Sequence, residues 1–227
     1  MTDQTEPDSE IRRNFYGRRQ GKALKPSQRR YLDEDLPRLS VDLSGPLDPA
    51  ALFSSRPVWL EVGFGGGEHI VHQAQANPDV GIIGAEPYVT GIAMCLGKIR
   101  RAGVDNIRIH PGDVRDLMDA LPAGSIAKAF LLYPDPWPKA RHHRRRFVTP
   151  DHLAPLHRVL APGAELRIAT DIEDYVRQAL EEVPSAGFAR MDHPTKQPWD
   201  DWISTRYEHK ALRERRAPNY LTFHRQM

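Results

Sequence analysis

Tyr133-Pro134-Asp135-Pro136-Trp137-Pro138-Lys139 sets a carboxylate, an indole and an amine among three prolines. Proline fixes φ, so the segment reads as a stiffened loop that presents Asp135 and Trp137 in set directions. Directly after it, Lys139, Arg141, Arg144, Arg145 and Arg146 supply five cations and His142 and His143 two imidazoles within eight positions. A stacking face beside clustered guanidinium groups is the equipment of a base pocket next to a phosphate grip. A charge run alone would be a solvated helix start; the rigid Pro-Asp-Pro-Trp turn beside it argues for a site. His142 and His143 have no Cys or third His at ligand spacing, so no metal is expected.

A second chemical stretch lies upstream. Val58-Trp59-Leu60-Glu61-Val62 has the apolar, β-branched and aromatic bias of a buried parallel strand, and it empties into Gly63-Phe64-Gly65-Gly66-Gly67 before a helical pattern over 68–77. The glycines permit a sharp turn with positive φ and leave no Cβ between a ligand and the loop at the helix N-terminus. A purely structural βα turn would use them too, and the neighbouring acids decide between the two. Glu61 stands where a structural strand would carry another Val or Ile, which points to a ligand group meeting it. The second strand ends in Glu86 and the third is followed by Gly112-Asp113.

An acid at the second strand end also fits a dinucleotide fold, where it takes the ribose hydroxyls while the loop cradles pyrophosphate. A carboxylate at Glu61 would repel a diphosphate and suits a cationic amino-acid moiety, and Asp113 can accept from an adenine amino group. These features favour S-adenosylmethionine over NAD, with Glu86 on the ribose.

Short apolar runs near 58–62, 80–85, 107–110, 126–132 and 164–169 alternate with helical patterns, the signature of βαβ units and a mostly parallel α/β sheet. The helix over 150–160 stops at Ala161-Pro162-Gly163. Ligands of open α/β sheets sit at the carboxyl ends of the strands, so Glu61, Glu86, Asp113, Asp135 and Asp171 are expected along one edge. Beyond Pro184 the chain reads as irregular until Asn219–Arg225, where Tyr220, Thr222 and His224 alternate as in a final strand.

The 227 residues suffice for one α/β domain, expected over 50–227, behind a flexible basic arm and Pro-rich connector over 1–49. The net charge of +2 conceals segregation: Arg12, Arg13, Arg18, Arg19, Lys22, Lys25, Arg29 and Arg30 crowd into the arm, interleaved with Phe15, Tyr16, Gly17 and Gly21. Such an arm suits a polyanion, and a solvated tail is the alternative. Cys95 is the single cysteine, so no intrachain disulfide exists; its apolar neighbours make it a core thiol. With no secretory or membrane-spanning run, the expected location is the cytoplasm.

Glu61-Val62-Gly63-Phe64-Gly65-Gly66-Gly67 resembles the Glu-x-Gly-x-Gly-x-Gly segment of class I methyltransferases. Together with Tyr133 to Lys139, the run Arg141 to Arg146, Ala169-Thr170-Asp171, Thr195-Lys196 and Thr205-Arg206-Tyr207-Glu208, it resembles the bacterial tRNA (guanine-N7)-methyltransferases across 58–225. Ala140 stands where that family's pattern has a basic residue. The resemblance implies a Rossmann-like, doubly wound, mostly parallel seven-stranded sheet with an antiparallel last strand. It also implies methyl transfer from S-adenosylmethionine to guanine N7 in the variable loop of tRNA, without an obligate protein partner. By it, Glu61, Gly63, Gly65, Glu86, Asp113 and Asp135 contact the cofactor. Lys139, Asp171, Thr205, Arg206, Tyr207 and Glu208 bind substrate; Arg141, His142, His143, Arg144, Arg145 and Arg146 bind RNA; and Asp135 is catalytic, with Glu208 a second source of negative charge.

The chemistry accords with what the sequence lacks. Guanine N7 already carries a lone pair, so attack on a sulfonium methyl needs alignment and charge stabilisation but no base. Pro-Asp-Pro-Trp also resembles the Asp-Pro-Pro-Tyr turn of amino-methyltransferases, which leaves amine methylation as an alternative. A noncatalytic RNA-binding protein is a third reading, and the cofactor acids argue against it.

Overall fold

The computed structural model describes residues 17, 19–21 and 23–227. Arm residues Arg12, Arg13, Phe15, Tyr16, Arg18 and Lys22 therefore lie outside the described part. Seven strands form one sheet: β1 (Val58–Val62), β2 (Gly81–Ala85), β3 (Ile107–His110), β4 (Ile126–Leu132), β5 (Leu160–Thr170), β6 (Phe188–Arg190) and β7 (Asn219–Arg225). Their order is β3-β2-β1-β4-β5-β7-β6, with β7 antiparallel to both of its neighbours. The chain leaves β1 toward β2 and β3 on one side and returns through β4 to the other. This puts a topological switch point between β1 and β4, where the strands' carboxyl ends open a crevice. The central strands are apolar because helices cover both faces: all five residues of β2 are buried.

Helices flank the sheet: α1 (Pro26–Glu34), α2 (Leu36–Leu39), α3 (Pro49–Leu52), α4 (Glu68–Ala76), α5 (Val89–Ala102), α6 (Val114–Ala120), α7 (Pro150–Val159), α8 (Glu173–Ser185) and α9 (Arg206–Arg213). The larger core cluster gathers Leu60, Ile83, Leu131 and Ile168 of the strands with Leu117, Leu156 and Tyr175 of α6, α7 and α8. The smaller packs Ile70 of α4 and Leu96 of α5 on Ile82 and Ile107.

Three sequence expectations need correction. Part of the segment expected to be a flexible arm and connector is helical, with Tyr31, Leu32, Leu36 and Leu39 packed on the smaller core. Arg100 of α5 reaches Glu34 at 2.6 Å and Asp35 at 3.0 Å and lies over the Tyr31 ring at 5.3 Å. The charges of the arm hid its apolar positions. Second, the stretch beyond Pro184, expected to be irregular, contains β6 and α9. Third, β5 begins before the Pro162-Gly163 turn, which it absorbs as a bulge: the pairing jumps from Ile126↔Leu160 to Lys128↔Glu165, with Gly163 at φ 76°.

Candidate active site

A cleft of about 1110 Å³ opens at the carboxyl ends of β1 to β4. Its floor includes Val62, Gly63 and Ala85, and Glu86, Asp113 and Asp135 all reach its wall. The glycine loop shapes one side. Gly63 has φ 70° with open space where a Cβ would stand, so a bound group meets bare backbone there. Gly67, at φ 78°, lets the loop close against α5, where a Cβ would sit 2.4 Å from Cys95 Sγ. Burial pushes that thiol's pKa up, in keeping with its role as a core residue.

Glu86 ties the loop to the next strand. Its carboxylate accepts from Gly65 N–H at 2.7 Å and Tyr88 N–H at 2.8 Å. Burial raises its pKa despite these two bonds, and the charge of Asp135 adds to the effect. Asp113 caps α6 and accepts from Arg115 N–H at 3.0 Å and its guanidinium at 2.5 Å. Burial pushes the Asp113 pKa up, but the Arg115 contacts outweigh it and hold the carboxyl below its usual range.

Asp135 belongs to a strained loop. Tyr133 at φ 49° and Trp137 at φ 41° both occupy the left-handed region, which bulky residues adopt only where the surroundings impose it. Asp135 opens into the cleft between them, and partial withdrawal from water raises its pKa. Arg145 lies over the Trp137 ring at 5.1 Å, and Arg144 and Tyr207 complete this part of the wall.

The basic run divides. Lys139, Arg141 and Arg144 are exposed, and a 3-10 turn over Ala140–Arg145 fans them outward. Partial desolvation and the surrounding cations hold the His142 pKa below its usual range. Arg146, expected to bind RNA, is 1% exposed. Its Nε donates to Pro136 O at 2.9 Å, Nη2 to Asp174 at 2.7 Å and Nη1 to Gln178 at 3.0 Å, above the Tyr175 ring. It is a buried brace for the Pro-Asp-Pro-Trp loop, out of reach of a phosphate. His143 turns the same way, 3.1 Å from Asp174.

Three other expected ligand acids are engaged by partners within the chain, and two of them are buried. Glu61 is 2% exposed and does not line the cleft; its carboxylate lies 2.7 Å from His69 Nδ1. Glu208, 5% exposed, accepts from Trp202 Nε1 at 2.9 Å and from the Tyr220 hydroxyl, inside the cluster of Phe130, Trp199 and Tyr220. Asp171, at the end of β5, is engaged by Arg216. Thr205 caps α9 by accepting from Glu208 N–H at 3.3 Å, and Arg206 lies against Gly66 and 3.3 Å from Glu68. Of this motif, Tyr207 alone lines the cleft.

The sequence reading missed Tyr88, Arg115, Asp151 and His152 on the cleft wall. Tyr88 and Arg115 each lie two positions beyond a strand-end acid, a legible signal; Asp151 and His152 come from the first turn of α7 and carry none.

Comparison with known proteins agrees with this architecture. A family described as "Putative methyltransferase" matches residues 55–220. The tRNA (guanine-N(7)-)-methyltransferase of Ruegeria pomeroyi is 67% identical over 232 residues, covering 97% of this chain and 98% of that protein. The chain belongs to the tRNA (guanine-N(7)-)-methyltransferase family. The relative of the same description from Roseobacter denitrificans is 64% identical with both chains fully covered. Among solved structures, the 16S rRNA methyltransferase KamB matches with a TM-score of 0.60 at 18% identity, covering 78% of this chain and 92% of its own. A 16S rRNA (adenine(1408)-N(1))-methyltransferase variant from Catenulisporales acidiphilia, solved with cosubstrate SAM, matches with a TM-score of 0.58 at 21% identity, covering 80% and 92%. At these identities the likeness is one of fold: the class I methyltransferase sheet with its antiparallel β7. Among the described residues no group of three or more His, Cys, Asp or Glu is placed to hold a metal, and no helix is long and apolar enough to cross a membrane.

Proposed function

We propose that this protein transfers the methyl group of S-adenosylmethionine to N7 of a guanine in the variable loop of tRNA, acting in the cytoplasm. The observation that carries the reading is a single cleft joining the bare glycine backbone, Glu86 and Asp113 to Asp135, Trp137 and Arg144. The first set fits the cofactor: Glu86 is a strand-end carboxylate suited to ribose hydroxyls, Asp113 suits an adenine amino group, and Gly63 leaves room for both. When bound, that cofactor supplies an electrophilic methyl on a sulfonium.

The chain's own residues then orient and stabilise. Asp135 accepts from the N–H groups of the guanine edge and offsets the positive charge that methylation places on the purine. Tyr207 and Trp137 bound the base, and Lys139, Arg141, Arg144 and Arg145 meet tRNA phosphates. Arg146 holds the loop that carries Asp135. Glu61 pairs with His69 of α4, and Glu208 holds Trp202 and Tyr220 in the aromatic cluster.

Methyl transfer to total tRNA, followed by borohydride reduction and aniline, tests the product. N7 methylation leaves a fixed cation that labilises the imidazole ring, so the tRNA is expected to break at one position. Full-length tRNA after proven methyl incorporation overturns the N7 reading and leaves amine methylation as the alternative.

The basic surface has its own signature. With Arg146 and His143 turned inward, four cations remain for phosphates, and tRNA affinity is expected to fall with salt at a log–log slope of about −3. Replacing Lys139, Arg141 and Arg144 with Ala flattens that slope and leaves S-adenosylhomocysteine affinity unchanged; an unaltered slope makes the run a solvated surface.

A further inference from the structure

Trp137 is held with unusual care for a side chain at a cleft mouth. Prolines stand on both sides of it, its backbone occupies the left-handed region at φ 41°, and Arg146 braces the preceding carbonyl of Pro136 at 2.9 Å. Such strain in a bulky residue persists where the fold imposes a direction on the side chain. His142 meets the ring edge-on at 6.0 Å, and the Arg145 guanidinium lies over it at 5.1 Å. Trp137, Arg145 and Asp135 line the same cleft.

The guanidinium is a flat, delocalised cation of weak hydration, and the indole face is the aromatic surface that attracts such cations best. An N7-methylated purine belongs to the same chemical class. In the transfer, the N7 lone pair forms the new N–C bond while the S–C pair leaves with sulfur. The positive charge passes from sulfonium to purine and no proton moves. A face that prefers planar cations over neutral rings therefore binds the purine more tightly as the bond forms, which is the condition for accelerating the step.

We propose that Trp137 is a catalytic residue: its indole stacks on the target guanine and stabilises the cationic purine. Arg145 occupies that face in the free protein and moves to an RNA phosphate when the base enters. This deepens the guanine-N7 reading and rests on it. Cations also lie over Trp199, where Arg167 stands at 4.9 Å, and over Trp59, where Lys128 stands at 5.0 Å, but neither these two rings nor Trp202 lines the cleft.

The test uses the full-length enzyme, Trp137→Leu, Trp137→Phe, and site-specific mono-, di- and trifluorotryptophan at position 137. The fluorinated rings keep shape while withdrawing electrons from the face. Trp137→Leu is expected to lower kcat about 30-fold with the KM for tRNA within about threefold, and Trp137→Phe to lose less. In the fluorinated series log kcat falls steadily with each fluorine. Fluorescence quenching by 7-methylguanosine 5′-monophosphate is expected at about tenfold lower concentration than by GMP for the parent, with the preference gone in Trp137→Leu. Parent-like kcat across the fluorinated series, or equal affinity of the parent for the two nucleotides, overturns the proposal. S-adenosylhomocysteine binding reports whether Trp137→Leu has folded; if it has not, the fluorinated series decides. A parent enzyme whose product resists aniline overturns the N7 reading itself and this inference with it. An aniline-labile product beside a flat fluorinated series overturns this inference alone.

Discussion

Asp135→Asn is expected to lower kcat by about 10²–10³-fold while S-adenosylhomocysteine binds within a few fold of the parent. The amide keeps an acceptor oxygen and the shape of the loop but loses the charge that offsets the cationic purine. The pH profile sharpens the expectation. Partial withdrawal from water in the cleft raises the Asp135 carboxyl above its ordinary 3.8, so activity falls as pH drops through a point above that value, and this acid limb disappears in the variant. The same shift has a stability sign. A carboxyl whose folded pKa is raised binds its proton more tightly in the folded chain. It therefore favours folding at low pH, and that contribution is lost as pH rises through the folded pKa. At neutral pH the Asn variant should unfold no earlier than the parent in a thermal scan. A kcat within threefold of the parent would remove Asp135 from the chemistry.

Arg146→Met is expected to produce the largest loss of stability among substitutions in the basic run. It strips the partner from Pro136 O, Asp174 and Gln178 at once, and loss of one member of a buried, hydrogen-bonded ion pair costs several kcal/mol. Asp174 is half-exposed and can turn to water, which reduces the cost to about 3 kcal/mol. For a chain of this size that lowers Tm by about 6–12 °C. Arg144→Ala, a few residues away and exposed, should leave Tm within about one degree, well inside the usual range for surface changes, and weaken tRNA binding instead. Equal Tm values for the two variants would return Arg146 to the RNA-binding set.

These paired expectations mark where the sequence sufficed. Strand positions were legible because buried parallel strands are short apolar runs, and β1, β3, β4 and β7 fall on the expected residues. Glu86, Asp113 and Asp135 reach one cleft because strands running the same way deliver their carboxyl ends to one edge, and alternation of strand and helix is itself written in the sequence. The antiparallel β7 and the family came from motif resemblance, which period and composition alone do not supply. Direction around a turn was another matter. Arg144 and Arg146 lie two positions apart in one run, yet one faces water and the other is buried beneath Asp174, because a tight 3-10 turn ends between them. Glu61 looked like a ligand on account of its place in an apolar strand; only α4 crossing beside it brings His69 within 2.7 Å. Glu208 was set apart by Trp202 and Tyr220, which reach it from a loop and from β7. A charged side chain in a sequence states that it needs a partner. Whether that partner is a ligand or another part of the chain depends on contacts between segments far apart in sequence, and the tertiary structure alone decides those.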